Sequence, residues 1–219
     1  MVVTGKPDSW IEDSITVRRM GLADLAWVVA QHRSHFPDNV IGRLGLGLLT
    51  RYYRTFLDST FAVATVTEVS GVRAGFLVGV LDTAAHRRLM WQFHGFSLGL
   101  ATLRAFLRHP VLGVGIVRRR LSLRLHPPAP MPAERVAVLS HVAVDPDSQG
   151  RGLGVMMIDQ FLAAAAAAGA DRVCVATADH APRAASIYLR RGFVLSSRSR
   201  TFDGRYIRLY DRPTAAPAP

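Results

Sequence analysis

Apolar residues recur along the chain with two different periods, and the switches between them divide it into elements. Ile15-Thr16-Val17-Arg18 alternates with a period of two and predicts a strand, whereas Ala23 to His32 carries helical spacing. Phe36-Pro37 breaks that helix, and a second helical pattern over Arg43 to Leu57 sets Leu44, Leu48, Tyr52 and Phe56 on one face, for which core packing is the simplest use. Two runs of β-formers, Phe61 to Val69 and Val72 to Leu81, meet around Ser70-Gly71 as a hairpin would. Further on, Val136 to Val144 predicts a strand. Val155 to Leu162 predicts an apolar helix that Ala163 to Ala168 prolong until Gly169 stops it. Arg172 to Thr177 is then a strand, Pro182 to Arg191 a helix, and Gly192-Phe193 leads into a terminal hairpin of Val194 to Ser197 and Tyr206 to Tyr210.

The connection from Asp82 to Ala133 is too long to be a structureless loop in a compact domain. Its pattern predicts two helical segments, Phe93 to Leu107 and Val111 to Leu125, split at His109-Pro110 and followed by a stiff connector, Pro127 to Pro132. Eight arginines and no acidic residue lie between Asp82 and Glu134. Such a segment suits contact with an anionic membrane, a cap over an acidic substrate, a homodimer contact, or a helical lid with a solvated basic face. The chain reads as one domain over residues 14–211, with residues 83–133 as the insertion and flexible tails at 1–13 and 212–219.

Charge adds a bias. The net charge is +11, with arginine supplying every basic residue except Lys6, which favours acidic partners, whether CoA, a nucleotide-linked substrate, anionic lipid or nucleic acid, without choosing among them. The single cysteine, Cys174, sits in an apolar run and excludes a disulfide framework or a cysteine-based metal site; no metal is expected. Without an apolar signal core or a run long enough to span a bilayer, the expected location is cytoplasmic.

Candidate chemistry concentrates where the strand Val136 to Val144 gives way to the apolar helix. The turn Ser148-Gln149-Gly150-Arg151-Gly152-Leu153-Gly154 places three glycines in five positions. Glycines there keep Cβ atoms off the backbone, whose N–H groups coincide with the unsatisfied donors of the helix start, so the turn reads as an anion cradle suited to phosphate. It lacks the Gly-Lys-Ser/Thr of a P-loop and the G-x-G-x-x-G of a dinucleotide turn. Gln149, Gly152 and Gly154 resemble instead the Gln/Arg-x-x-Gly-x-Gly/Ala signature of the GNAT superfamily of acyl-CoA-dependent N-acyltransferases. A second stretch, Ala184 to Phe193, is similar to that family's A-x-x-x-Tyr-x-x-x-Gly-Phe ending through Tyr188, Gly192 and Phe193.

The resemblance covers about Ile15 to Tyr210 and implies an α/β fold, a mixed and mostly antiparallel central sheet flanked by helices, here with a long helical insertion before the central strand. It implies acetyl-CoA as co-substrate, with its pyrophosphate on Gln149, Gly150, Arg151, Gly152, Leu153 and Gly154. The pantetheine arm would lie on the backbone of Val142, Ala143 and Val144, and a strand N–H near Val142 would meet the oxyanion. Tyr188 would protonate the departing thiolate. The family often has Asn where this chain has Ala181, which shifts that contact to Asp179 or His180 if it exists at all. For the base, His141 and Glu134 are the candidates, although plain alternation sends His141 to the opposite face from Ser140 unless a bulge intervenes. His32, His35, Asp38 and Asn39 fall in the connection that lines the acceptor site in the family. The implied reaction is acetylation of a primary amine of a small molecule, such as an amino sugar or an acidic, nucleotide-linked amine. Peptide acetylation and a non-catalytic CoA-binding or membrane-docking module are the alternatives, and no nucleic-acid partner is expected.

Overall fold

The computed structural model describes residues 14–108, 114, 134–201 and 204–214. Its frame is a seven-stranded sheet in the order β1-β2-β3-β4-β5-β7-β6. The strands are β1 (Ile15–Arg19), β2 (Ala62–Val69), β3 (Val72–Val80), β4 (Val136–Val144), β5 (Arg172–Ala178), β6 (Val194–Arg200) and β7 (Tyr206–Pro213). Every pairing is antiparallel except β4 with β5, so the sheet is mixed and mostly antiparallel, as the resemblance implies. The helices are α1 (Leu25–His35), the short α2 (Val40–Arg43), α3 (Leu46–Leu57), α4 (Thr83–Arg108), α5 (Leu153–Ala167) and α6 (Pro182–Arg190).

Two apolar cores lie on the two faces of this sheet. On one, Val28 and Val29 of α1 and Leu49, Tyr53 and Phe56 of α3 pack on Val66, Phe76, Val78 and Ala143. On the other, Met157, Ile158 and Phe161 of α5 and Ala185 and Tyr188 of α6 pack on Ala137, Leu139, Val173, Val175 and Tyr210. Strand β3 serves both cores, which is why it reads as a continuous apolar run. Gly79 is needed there for space: a Cβ would stand 2.3 Å from Cε2 of Phe161, a ring that is itself 1% exposed. Gly79→Val should therefore cost about 1–3 kcal/mol, the usual range for overpacking. A denaturant titration checks this, and an unchanged midpoint would mean the ring yields freely.

Several elements differ from their predicted spans. The helix expected over Arg43 to Leu57 is two, parted at Gly45 with φ +113°, and its inner face is Leu49, Tyr53 and Phe56 instead of the predicted stripe through Leu48 and Tyr52. Helix α1 runs on to His35. In the insertion, α4 starts ten residues before Phe93, because the Asp82 carboxylate accepts from the Ala85 N–H and Thr83 Oγ1 donates to the Val136 carbonyl. Of the second predicted helix only Val114 is described, and the proline connector and the arginines Arg118, Arg119, Arg120 and Arg124 lie outside the described residues. Arg212 and Pro213, read as tail, belong to β7 and pair with Val173 and Arg172. Among the described residues no helix is long and apolar enough to cross a membrane.

Candidate active site

The turn after β4 has the form of a cradle. Gly150 and Gly152 hold φ of +85° and +78°, the left-handed region that favours glycine, and a Cβ on either would enter open space. Gly152 caps α5, and the first bond of that helix runs from the Met156 N–H to the Gly152 carbonyl. The N–H groups of Leu153, Gly154 and Val155 therefore precede the intrahelical ladder at the positive end of a 15-residue helix, which fits a diphosphate. Gln149 fixes the approach to this turn. Its Nε2 donates to the Val144 carbonyl at 3.2 Å, and its Oε1 accepts from Arg183 Nη1 at 3.2 Å, linking β4 to the start of α6.

Beside the cradle the sheet opens. β4 and β5 are paired only from Val136↔Arg172 to Leu139↔Val175, and past that point β4 continues along β3 while β5 continues along β7. The backbone of Val142, Ala143 and Val144 thus borders a gap on its β5 side. At the point of parting the register with β3 also slips: Gly79 faces Leu139 but Val78 faces His141, so Ser140 is a bulge. Leu139 belongs to the α5 core, whereas two residues on His141 lies among the aromatic rings of the α1–α3 layer. The bulge turns Ser140 and His141 to the same face.

The His141 ring lies 4.8 Å from that of His32, 5.2 Å from Phe36, 5.7 Å from Tyr52 and 6.0 Å from Tyr53. Its tautomer follows from a helix cap. Asn39 Oδ1 accepts from the Ile41 N–H at 3.0 Å, which turns its Nδ2 towards His141 Nε2 at 3.3 Å. Nε2 is then an acceptor, and the Nδ1 proton faces Tyr52 Oη at 3.5 Å, a long contact. Burial, reinforced by the neighbouring His32, lowers the His141 pKa to about 3. Burial lowers that of His32 to about 4, with the Asn39 amide opposing. Both imidazoles are neutral at pH 7. His32 is wholly buried and meets Tyr53 Oη at 2.7 Å through Nδ1, so it supports the ring cluster from behind. His35 reaches the strand itself, with Nε2 2.9 Å from the Val144 carbonyl.

Tyr188 occupies the other face, its ring 5.5 Å from Phe193 and 6.3 Å from Tyr210 in the same core as Leu139 and Val175, the last paired residues before the gap. Burial raises its pKa, so it stays protonated, and its hydroxyl has no hydrogen-bond partner among the described residues. Glu134 is corrected as a base candidate: it sits before β4 at the closed end of the β4–β5 pair, bonded to Arg172 Nε at 2.8 Å, roughly 20 Å along an extended chain from His141. Asp179 is held by Arg208 at 2.6 Å and Arg198 at 2.7 Å, so it does not stand in for the missing Asn, and His180 is exposed. The cradle follows the strand edge of Val142 to Val144 where β4 has left β5, with His141 in the ring cluster on one face of the sheet, Tyr188 in the core on the other and Glu134 at the closed end of the pair. Tyr52, Tyr53 and Arg183 are partners that sequence reasoning did not single out; only helical spacing marked Tyr52, and that signal reads equally as core.

A seven-stranded mixed sheet, opened beside a glycine cradle at a helix start, is the frame of an acyl-CoA-dependent transferase. The chain belongs to the acetyltransferase (GNAT) family, whose pattern it matches over residues 49–193, and it is an acyltransferase with acetyl-CoA as donor. Solved structures share the fold. Ard1 from Thermoplasma volcanium superposes with a TM-score of 0.60 at 15% identity, covering 92% of this chain and 99% of that one. The yncA protein from Salmonella typhimurium, solved with acetyl-CoA, gives 0.57 at 14% identity over 94% and 96%. A variant of the spermidine N-acetyltransferase from Vibrio cholerae gives 0.56 at 12% identity over 91% and 94%. No curated protein matches the sequence.

Proposed function

We propose that this chain transfers the acetyl group of acetyl-CoA to a primary amine of a small molecule by direct attack, without a covalent enzyme intermediate. One observation carries the reading: the Ser140 bulge turns His141 towards the α1–α3 layer at the level where β4 leaves β5. Acetyl-CoA supplies an acetyl group already activated as a thioester. The N–H groups of Leu153, Gly154 and Val155 suit its diphosphate, and the strand edge from Val142 to Val144 suits the amide-bearing arm. An N–H near Val142 is the proposed donor to charge developing on the carbonyl oxygen.

A neutral, desolvated imidazole does not strip an alkylammonium ion, so the acceptor must arrive as free amine. His141 Nε2 is the proposed receiver of the amine proton as the C–N bond forms, a step in which the amine must displace the Asn39 amide from Nε2. Tyr188 supplies a proton to the departing sulfur from the opposite face. A small acceptor is favoured because a +11 chain repels lysine-rich polypeptides.

The test is thiol release, with mass analysis of the product, against amino acids, amino sugars, nucleotide-linked amino sugars, aminoglycosides, polyamines and peptides. Turnover is expected with a small primary amine, at a rate that rises with pH through the pKa of that amine. Turnover with peptides alone, or with no amine, would overturn the reading.

A further inference from the structure

Residues that bond across an antiparallel ladder alternate along each strand, and the Asp145 N–H donates to the Ala74 carbonyl at 2.8 Å. Val144, opposite Gly75, and Val142, opposite Leu77, therefore turn their N–H and C=O groups away from β3 and into the gap that β5 has left. In an unbroken sheet the Val144 carbonyl would accept from the next strand. Here two side chains take that strand's place. His35, in the last turn of α1, sets Nε2 2.9 Å from the Val144 oxygen, and Gln149, at the entry to the cradle, sets Nε2 3.2 Å from it. One turn back on α1, Gln31 Nε2 donates to the Asp145 carboxylate at 3.0 Å, whose other oxygen accepts from the Asp147 N–H at 3.2 Å. Gln31 and His35 share a helix face, so together they grip two consecutive residues where β4 runs out towards the cradle.

Both nitrogens of His35 face carbonyl oxygens, since Nδ1 lies 3.0 Å from that of Gln31. A protonated ring donates to both. In a neutral ring the single N–H belongs on Nε2, because the Gln31 carbonyl already has the His35 backbone N–H in the helix ladder. In either form Nε2 donates to Val144, and neither nitrogen is left to take a proton from an amine.

We propose that His35, supported by Gln31, is a positioning residue for the acyl donor: it stands in for β5 at the Val144 carbonyl and so sets how the amide-bearing arm of acetyl-CoA lies along the strand edge. This rests on the placement of that arm along Val142 to Val144. A carbonyl oxygen has two lone pairs, and His35 and Gln149 take both of those on Val144. The edge then offers the arm the N–H and C=O of Val142 and the N–H of Val144. An amide N–H of the arm has the Val142 carbonyl as its acceptor, and a slip to Val144 would carry the thioester ~7 Å along the strand, the length of two residues. The same bond ties the donor's edge to α1, whose next residue, Phe36, packs 5.2 Å from the His141 ring.

Calorimetry with two probes tests this. One is acetyl-CoA; the other is adenosine 3′-phosphate 5′-diphosphate, the nucleotide half of CoA, which keeps the diphosphate and lacks the arm. His35→Leu should weaken acetyl-CoA binding by ~10-fold, the scale of a lost hydrogen bond, and leave the nucleotide half within about twofold of the parent. His35→Gln, which keeps an N–H donor, should recover most of the loss, and Gln31→Leu should show a smaller loss of the same kind. Circular dichroism and unfolding midpoints accompany each variant, and Gln31→Leu carries the comparison if His35→Leu does not fold. Equal weakening of both probes would assign the grip to the cradle and overturn the proposal. Unchanged acetyl-CoA affinity in a folded His35→Leu protein, or a His35→Gln protein no better than His35→Leu, would overturn it as well. Gly152→Glu separates the two levels: it should weaken both probes, and if it weakens neither, the placement of the donor on this turn and strand fails along with the proposal.

Discussion

Gly152→Glu is expected to lower acetyl-CoA affinity at least about 100-fold while leaving the protein folded. The fold survives because a Cβ at this position meets no protein atom within 4 Å. Two costs follow. A non-glycine residue at φ +78° carries strain of ~1–3 kcal/mol. A carboxylate held ~5 Å from a diphosphate opposes it by ~3 kcal/mol per unit charge at an effective dielectric of 20. Gly152→Ala separates these, since it retains the strain without the charge and should weaken binding by only about tenfold. Calorimetry with acetyl-CoA, beside circular dichroism of each variant, reads the result. A folded Gly152→Glu protein that binds as tightly as the parent would remove the diphosphate from this turn.

The legible parts of this site are those that short stretches of chain determine. The glycines of the cradle answer to local backbone geometry, and Tyr188 stands at a fixed spacing before Gly192-Phe193, so both were visible in the sequence. The face of His141 was not. Alternation along β4 carries no mark of the bulge, because the slip arises from pairing with β3, where Val78 and Gly79 face residues two apart on β4. Glu134 illustrates the converse: close to the cradle in sequence terms, it is displaced by the length of an extended strand and neutralised by Arg172. The ring cluster around His141 draws Asn39 from a helix cap, Phe36 from the end of α1 and Tyr52 from α3, three positions whose proximity only the tertiary packing creates. In the same way, the break at Gly45 moved the inward face of α3 by one residue, and a periodicity count that runs through the glycine cannot register it.

Tyr188→Phe is expected to reduce kcat by about 10²- to 10⁴-fold, the usual yield of general acid assistance, with little change in acetyl-CoA affinity. Only an oxygen is removed, and the ring keeps its contacts with Phe193 and Tyr210, so the core on the α5 face is retained. The hydroxyl has no bonding partner among the described residues, so its deletion orphans no buried protein group, and the variant should match the parent in stability. That combination separates a proton donor from a packing residue: packing would show in the unfolding midpoint, donation only in turnover. A thiolate leaving group provides the second discriminator. When the acyl donor is a thioester whose thiol is more acidic than that of CoA, departure needs less help, and the gap between the two proteins should narrow. Because burial holds the Tyr188 pKa above its ordinary value, the phenol stays protonated across neutral pH, and the parent's rate should show no alkaline loss from this group below about pH 10. Single-turnover measurement with a competent amine places the effect on the chemical step. An unchanged chemical rate in the folded variant would return Tyr188 to the core and leave the sulfur to be protonated by solvent.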